Sequence, residues 1–269
     1  MKRAGALAAL ALAACATQPA PGPPLQVVVV GDSTAAFYGP ERYPQLGWAM
    51  VLPCALDAAV TVHDDAKGGR STRSFQAEGW WEKSRDRLNP GDVLLIQFGH
   101  NDASIDRPER YIEARPGFKT NLELFVAAAR ARGATPVLIT PVTRRQFTDS
   151  KSIDVHGEYD DVVREVASAT ATPLIDLQRD SMDLIGRLGE DHSKALFLHL
   201  PPGAFPYFPD GVTDNTHFSE TGARQIAGLV AKRLGNLDTP LKGRVDGRAP
   251  ALAPSFHAGG PACTTGATR

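Results

Sequence analysis

Cysteine is scarce in this chain. Three residues among 269, Cys15, Cys54 and Cys263, are too few to staple a small disulfide-framework fold. Neither sign of charge is in excess: 29 Lys and Arg stand against 30 Asp and Glu. With no basic field to meet a phosphate backbone, nucleic acid is excluded as a default partner. No run of about 18 apolar residues follows the N-terminus, so no helix beyond the leader is built to span a bilayer. A G-x-G-x-x-G after a strand and a G-x-x-x-x-G-K-[ST] are both missing, which leaves dinucleotide and P-loop readings without support. Neither a cofactor nor a metal is expected. What is present, 42% hydrophobic and 22% charged residues, is ordinary globular composition for one large domain or two small ones.

Residues 1–15 read MKRAGALAALALAAC: two cations, a short Ala/Leu stretch, then small residues ending in cysteine. Such a segment is a secretory signal, too short to cross a membrane as a helix. Its last four residues, Leu12-Ala13-Ala14-Cys15, resemble a bacterial lipobox, which implies cleavage after residue 14 and a lipid on Cys15. The expected location is the bacterial cell envelope, with the lipid as the only membrane contact; a plain secreted signal cut nearby is the alternative. Residues 16–24, ATQPAPGPP, are Pro-rich and aperiodic, as a semi-extended tether would be.

From residue 25 onward, short apolar runs alternate with helical stretches. The runs are LQVVVVG (25–31), AAVTVHD (58–64), DVLLIQFG (92–99), TPVLITP (135–141) and TPLIDL from 172. Unbroken apolar runs suit strands buried on both faces, hence a parallel sheet. Helical spacing marks 119–133, 158–170 and 219–235, the last opening on Ser219 as an N-cap. The pattern predicts a three-layer α/β/α domain over 25–237, followed by an irregular tail over 238–269. A monomer is expected. Cys54 and Cys263 either pair outside the cytoplasm or stay as one buried and one free thiol.

In an open α/β sheet the reactive groups gather at the carboxyl ends of the strands. The first run leads into Gly31-Asp32-Ser33-Thr34, where a serine at a strand-to-helix turn is either a nucleophile or an N-cap. Ala35 breaks the G-x-S-x-G elbow, which weakens an α/β-hydrolase reading. Gly68-Gly69-Arg70 follows the second run, its glycines letting backbone N–H groups approach a ligand. Gly99-His100-Asn101-Asp102 follows the third, with an amide able to donate to a negative oxygen. Asp214-Asn215-Thr216-His217 precedes the last helix, and a carboxylate three residues before a histidine can hold its Nδ1. Taken singly, each block also has a structural explanation.

Together and in this order, the four blocks resemble the SGNH subgroup of the GDSL hydrolases. The resemblance implies a flavodoxin-like sandwich with a five-stranded parallel sheet. It implies Ser33 as nucleophile with Asp214 and His217 completing the triad, and an oxyanion hole from the Ser33 and Gly69 amides and the Asn101 side chain. Within the superfamily, GDST, AKGGRSTRSF, IQFGHND and DNTHFSETGA are closer to the rhamnogalacturonan acetylesterases. The implied reaction is removal of acetyl groups from a plant cell-wall polysaccharide, acetylated rhamnogalacturonan or pectin. A lipase, thioesterase or aryl esterase of the same superfamily is the first alternative, and a non-catalytic carbohydrate-binding lipoprotein the second. Arg70, with Lys67 and Arg73, is a candidate for substrate carboxylates or for holding its own loop. Trp81 with Trp80, and Tyr207, are candidates for sugar stacking or for packing. Asp65 stands where relatives often carry Asn, and a carboxylate beside an oxyanion hole would oppose the charge forming there.

Overall fold

Four consecutive valines define the centre of the molecule. The computed structural model describes residues 25–245 and the backbone of a short antiparallel ladder between Phe256–His257 and Gly260–Pro261. Strand β1 (Leu25–Gly31) buries Val27, Val28, Val29 and Val30 completely. A strand with no wet face needs cover on both sides. It lies between β2 (Val60–Asp64) and β3 (Val93–Gln97), with β4 (Thr135–Ile139) and β5 (Leu174–Ile175) continuing beyond β3. All pairings are parallel, in the order β2-β1-β3-β4-β5. The predicted five-stranded parallel sheet is therefore present.

Successive side chains of a strand point to opposite faces, and the valines divide accordingly. Val28 and Val30 pack beneath α1 (Thr72–Ala77), α2 (Trp80–Arg87), α3 (Lys119–Ala131) and α4 (Glu158–Ala169), among Phe75, Trp81, Phe125 and Val162. Val27 and Val29 face Trp48, Leu52, α5 (Leu177–His192) and α6 (Glu220–Asn236), through Ile185, Ile226 and Val230. Burying one such aliphatic side chain contributes about 1.5–3 kcal/mol. A slip of β1 by one residue would exchange both faces at once.

The order 2-1-3-4-5 reverses direction at β1, and the crevice of a doubly wound sheet opens at that switch point. Residues 32–36 make a single turn there instead of starting a helix, because Pro40, Pro44 and Pro53 break the following stretch into short 3-10 turns. Past α5 the chain forms an antiparallel ribbon of β6 (Phe197–Leu200) and β7 (Val212–Phe218), which sequence reasoning did not anticipate. The packed chain also continues beyond the expected boundary at 237: Leu241 is buried, and Leu56 bridges to Val245. Cys54 is disulfide-bonded. Cys263, offered above as its partner, lies outside the described residues, as do the leader, Cys15 and the tether.

Candidate active site

Ser33 projects from the turn after β1, held by a buried polar network rather than by a helix. Asp32 accepts from the Thr34 amide at 3.0 Å and the Thr34 hydroxyl at 2.8 Å, and its other oxygen meets His100 Nδ1 at 3.0 Å. Gln97 at the end of β3 donates to Thr34 Oγ1 and accepts from Trp48 Nε1 at 2.7 Å. Tyr38 donates to the Ser33 carbonyl at 2.8 Å. Gly31 is required because a Cβ there would lie 2.7 Å from the Gln97 carbonyl oxygen. The loop is thereby fixed on every side except that of the serine hydroxyl and its N–H, which has no acceptor among the described residues.

The carboxylate and the imidazole come from an irregularity in β7. Leu198 pairs with Asp214 and Phe197 with Phe218, so residues 215–217 bulge out between two ladder positions. Asp214 Oδ1 accepts from the amides of Thr216 at 2.7 Å and His217 at 3.0 Å, while Oδ2 meets His217 Nδ1 at 2.7 Å. Two arginines after β4 grip the same bulge. Arg145 donates its backbone N–H to the Asn215 carbonyl at 2.8 Å and its guanidinium to Asn215 Oδ1 at 3.0 Å, and Arg144 binds Thr216 Oγ1. Leu46 N donates to the Phe218 carbonyl, tying the segment after Ser33 to the one after His217. The Asp-x-x-His motif thus sits within a strand bulge instead of a free turn.

Ser33, Asp214 and His217 line one cavity of 660 Å³, together with Gly68, Gly69, Arg70, Arg42, Arg110 and Phe208. No hydrogen bond closes between the serine hydroxyl and the ring among the described residues, and such bonds often tighten only when substrate arrives. On the wall of the same cavity, Gly69 holds a φ of +76°, a conformation costly for any other residue, and its N–H has no acceptor among the described residues. Asn101 lies behind Arg70 and Arg110. Its Nδ2 donates to the Arg70 carbonyl at 3.0 Å, and its Oδ1 accepts from Arg110 at 2.9 Å. Arg110 fixes which way the amide faces, since a flip would set NH₂ against the guanidinium. Asn101 is buried and is not among the residues that line the cavity, so the structure holds its side chain behind the wall formed by Arg70 and Arg110. Asn101→Ala is expected to lower kcat by roughly two to three decades with little change in KM, and Arg110→Met to lower it less. Steady-state kinetics on a soluble acetyl ester check both.

The arginines and aromatics divide between the two roles left open. Arg70 does both: it lines the cavity, and it holds its loop through Glu78 at 2.9 Å and the Gly68 carbonyl. Lys67 lies over Trp80, and Arg73 donates to the carbonyls of Pro108 and Tyr111. Trp81 is not a substrate contact. It is 2% exposed and packs on Phe125 at 4.1 Å between ring centroids, because α2 turns that side toward the sheet. Tyr207 is 44% exposed and lines a separate hollow with Tyr43 and Phe205 instead of the catalytic cavity, to which it connects only through the Arg42 guanidinium 4.2 Å from its ring centre. Asp65 pairs with Arg87 at 3.3 Å, which answers its charge away from the cavity. His199 Nε2 meets Asn215 Oδ1 at 2.8 Å and so helps Arg145 hold the bulge. Arg42, Arg110, Arg144 and Arg145 were missed, for no local spacing marks a loop arginine that folds back from a distance.

Burial by itself would raise the Asp32 carboxyl, but the charge and hydrogen bond of His100 and the bonds from Thr34 outweigh it and hold the group at about 2. The same balance, with His217 as the main partner, holds Asp214 at about 2. Asp102 goes the other way: burial pushes it up to about 7 despite two bonds from Thr72. Below about pH 4 the unfolded chain binds protons that Asp32 and Asp214 refuse, so folding stability is lost toward pH 2. Between about pH 4 and 7 the folded chain keeps the Asp102 proton that the unfolded chain releases, so stability falls with rising pH by up to about 1.4 kcal/mol per unit. Burial raises Asp64 and Asp160 in the same direction, so denaturant midpoints should fall from pH 5 to pH 7.5, and a midpoint rising steadily over that range would contradict this balance.

Comparison with known proteins agrees with this geometry. Residues 29–225 match the GDSL-like lipase/acylhydrolase family. Rhamnogalacturonan acetylesterase RhgT of Bacillus subtilis is 40% identical over 220 residues, covering 81% of this chain and 93% of that protein. The probable rhamnogalacturonan acetylesterase YesY of the same organism is 35% identical over 215 residues, covering 80% and 94%. The crystal structure of the Bacillus subtilis protein YXIM superposes with a TM-score of 0.69 at 27% identity, covering 79% of this chain and 56% of that one, so this chain spans little more than half its length.

Proposed function

The chain belongs to the GDSL-like lipase/acylhydrolase family, and from that premise we propose that it is a serine esterase removing acetyl groups from acetylated rhamnogalacturonan or a related pectin. The observation that carries the reading is the Asp214–His217 pair at 2.7 Å, sharing a cavity with Ser33 and the open amide of Gly69. In the proposed reaction His217 Nε2 takes the Ser33 proton as Oγ attacks the acetyl carbonyl. The oxyanion is held by the Ser33 and Gly69 amides and Asn101 Nδ2, each worth about 2.7–4 kcal/mol. Protonated His217 gives its proton to the leaving sugar oxygen. Water, deprotonated by the same ring, then releases acetate and restores Ser33. No step of this sequence calls on a metal or cofactor.

Arg42 and Arg70 at the cavity suit the carboxylates of a uronate chain, since a hydrogen bond between charged partners contributes about 1.5–3 kcal/mol. The lipidated Cys15 and the 16–24 tether would hold the enzyme at the cell envelope as a monomer. The test is acetate release from acetylated pectins and xylans, with Ser33→Ala as blank, alongside acetyl, butyryl and octanoyl esters of nitrophenol. Release from the pectic substrates and rates falling with acyl length are expected. Rates rising with acyl length would instead favour the lipase or thioesterase alternative. In the producing cells, activity should sediment with membranes and become soluble in Cys15→Ala.

A further inference from the structure

Away from the catalytic cavity, three metal-ligating side chains converge. Asp154 and His156 belong to the loop after the small hairpin of Phe147–Thr148 and Lys151–Ser152, and Asp160 to the first turn of α4. One ligand atom from each lies within 4.8 Å of the other two, and His156 Nδ1 stands 3.9 Å from Asp160 Oδ2. Asp160 is 0% exposed and His156 4%. Yet among the described residues both ring nitrogens of His156 lack a hydrogen-bond partner, and neither Asp160 oxygen has one by distance and angle, its neighbour being the Asp154 carboxylate. Buried polar atoms are nearly always satisfied, so four orphans at one place point to a missing occupant.

The chemistry of the four atoms selects that occupant. A proton shared between Asp154 and Asp160 would serve the carboxyl groups and leave both His156 nitrogens unpaired. A divalent cation accepts one oxygen from each carboxylate and Nδ1 together, and it cancels the two negative charges. An ion about 2.1 Å from nitrogen and oxygen ligands spans the gap between His156 and Asp160. Asp154 is exposed, which leaves a side open for entry and for coordinating water. The guanidinium groups whose charge reaches the cluster are held elsewhere, Arg144 on Thr216 and Arg164 on Asp161 and Asp176.

We propose that Asp154, His156 and Asp160 form a binding site for one divalent transition-metal ion, Zn²⁺ or Mn²⁺, the mixed oxygen and imidazole set that these ions accept. The ion is structural. The His156 ring packs edge-on against His100 at 4.4 Å, and His100 holds Asp32 beneath the nucleophile, so the site braces the Ser33 loop from behind without touching substrate. It assigns a metal to the fold and none to the reaction.

The experiment uses the full-length chain without a polyhistidine tag, stripped by chelator and dialysed. Titration calorimetry with Zn²⁺ and Mn²⁺, and elemental analysis after gel filtration, should give one equivalent bound more tightly than about 10 μM. The Tm should rise by about 5–10 °C at a hundredfold excess over Kd, while kcat on an aryl acetate changes less than twofold. Asp160→Asn and Asp154→Asn should each weaken binding at least tenfold. Asp154 is exposed, and its Asn variant keeps the acceptor that the His156 amide uses, so it reports on the site even if Asp160→Asn fails to fold. No stoichiometric uptake by the wild type, or uptake unaffected by Asp154→Asn, overturns the proposal. Absent uptake together with a more stable Asp160→Asn would identify the occupant as a proton.

Discussion

Ser33→Ala should cost about six decades in kcat on an acetyl ester and leave KM within a few-fold. The hydroxyl is the only atom removed, and the other hydroxyls at the cavity are already committed: Tyr38 donates to the Ser33 carbonyl, and Ser74 Oγ is tied to Ser71 at the start of α1. Binding should survive, because the walls contributed by Arg42, Phe208 and Leu198 are untouched. The fold should survive as well. The Ser33 side chain holds no partner among the described residues, and Tyr38 bonds the backbone carbonyl, which alanine retains. Truncating an uncommitted hydroxyl on the cavity wall should move stability by no more than about 0.5 kcal/mol. Active-site titration with a serine-directed phosphonate provides the direct count: one equivalent on the wild type and none on Ser33→Ala. More than about 1% residual activity, free of wild-type contamination, would mean that water is activated directly by His217 and that Ser33 only lines the site.

How much of this was legible depends on whether the signal was local. The Val27 to Val30 run announces a strand buried on two faces, and β3 and β4 carry equally plain apolar runs. The four motif blocks could be located because each follows or precedes an element whose period is visible. Trp81 was misplaced although a local signal existed: Trp81, Ser84 and Leu88 recur at helical spacing and are all buried, so α2 puts this tryptophan inward and leaves its neighbour Trp80 half-buried at the edge of the same core. The β6–β7 ribbon gave no such signal. Its strands carry His, Asn, Thr and Asp where an apolar alternation would be needed, because the bulge serves the Asp214–His217 pair rather than the core. Arg110, Arg144 and Arg145 act at residues 9, 72 and 70 positions away, contacts that only the folded topology creates.

Asp214→Asn should lower kcat by about four decades, although it changes one atom. In the wild type, Oδ1 is already fixed by the amides of Thr216 and His217, and Oδ2 takes the Nδ1 proton. Asparagine can satisfy the two amides only by placing its carbonyl oxygen where Oδ1 was. Its NH₂ then faces Nδ1 and can bond it only as an acceptor, so the ring proton moves to Nε2, the atom that must receive the Ser33 proton. Flipping the amide does not help, because NH₂ would then point at two backbone N–H groups. The same bulge geometry that orients the carboxylate therefore locks the variant in the inactive tautomer. KM should stay within a few-fold, which separates this tautomer error from a collapse of the cavity. Because the wild-type carboxyl is held at about 2, it stays ionised through any accessible pH range. Imidazole ¹⁵N shifts should report the proton on Nδ1 in the wild type and on Nε2 in the variant. A loss below tenfold with Nδ1 still protonated would remove Asp214 from the triad and leave His217 positioned by the arginine-gripped bulge alone.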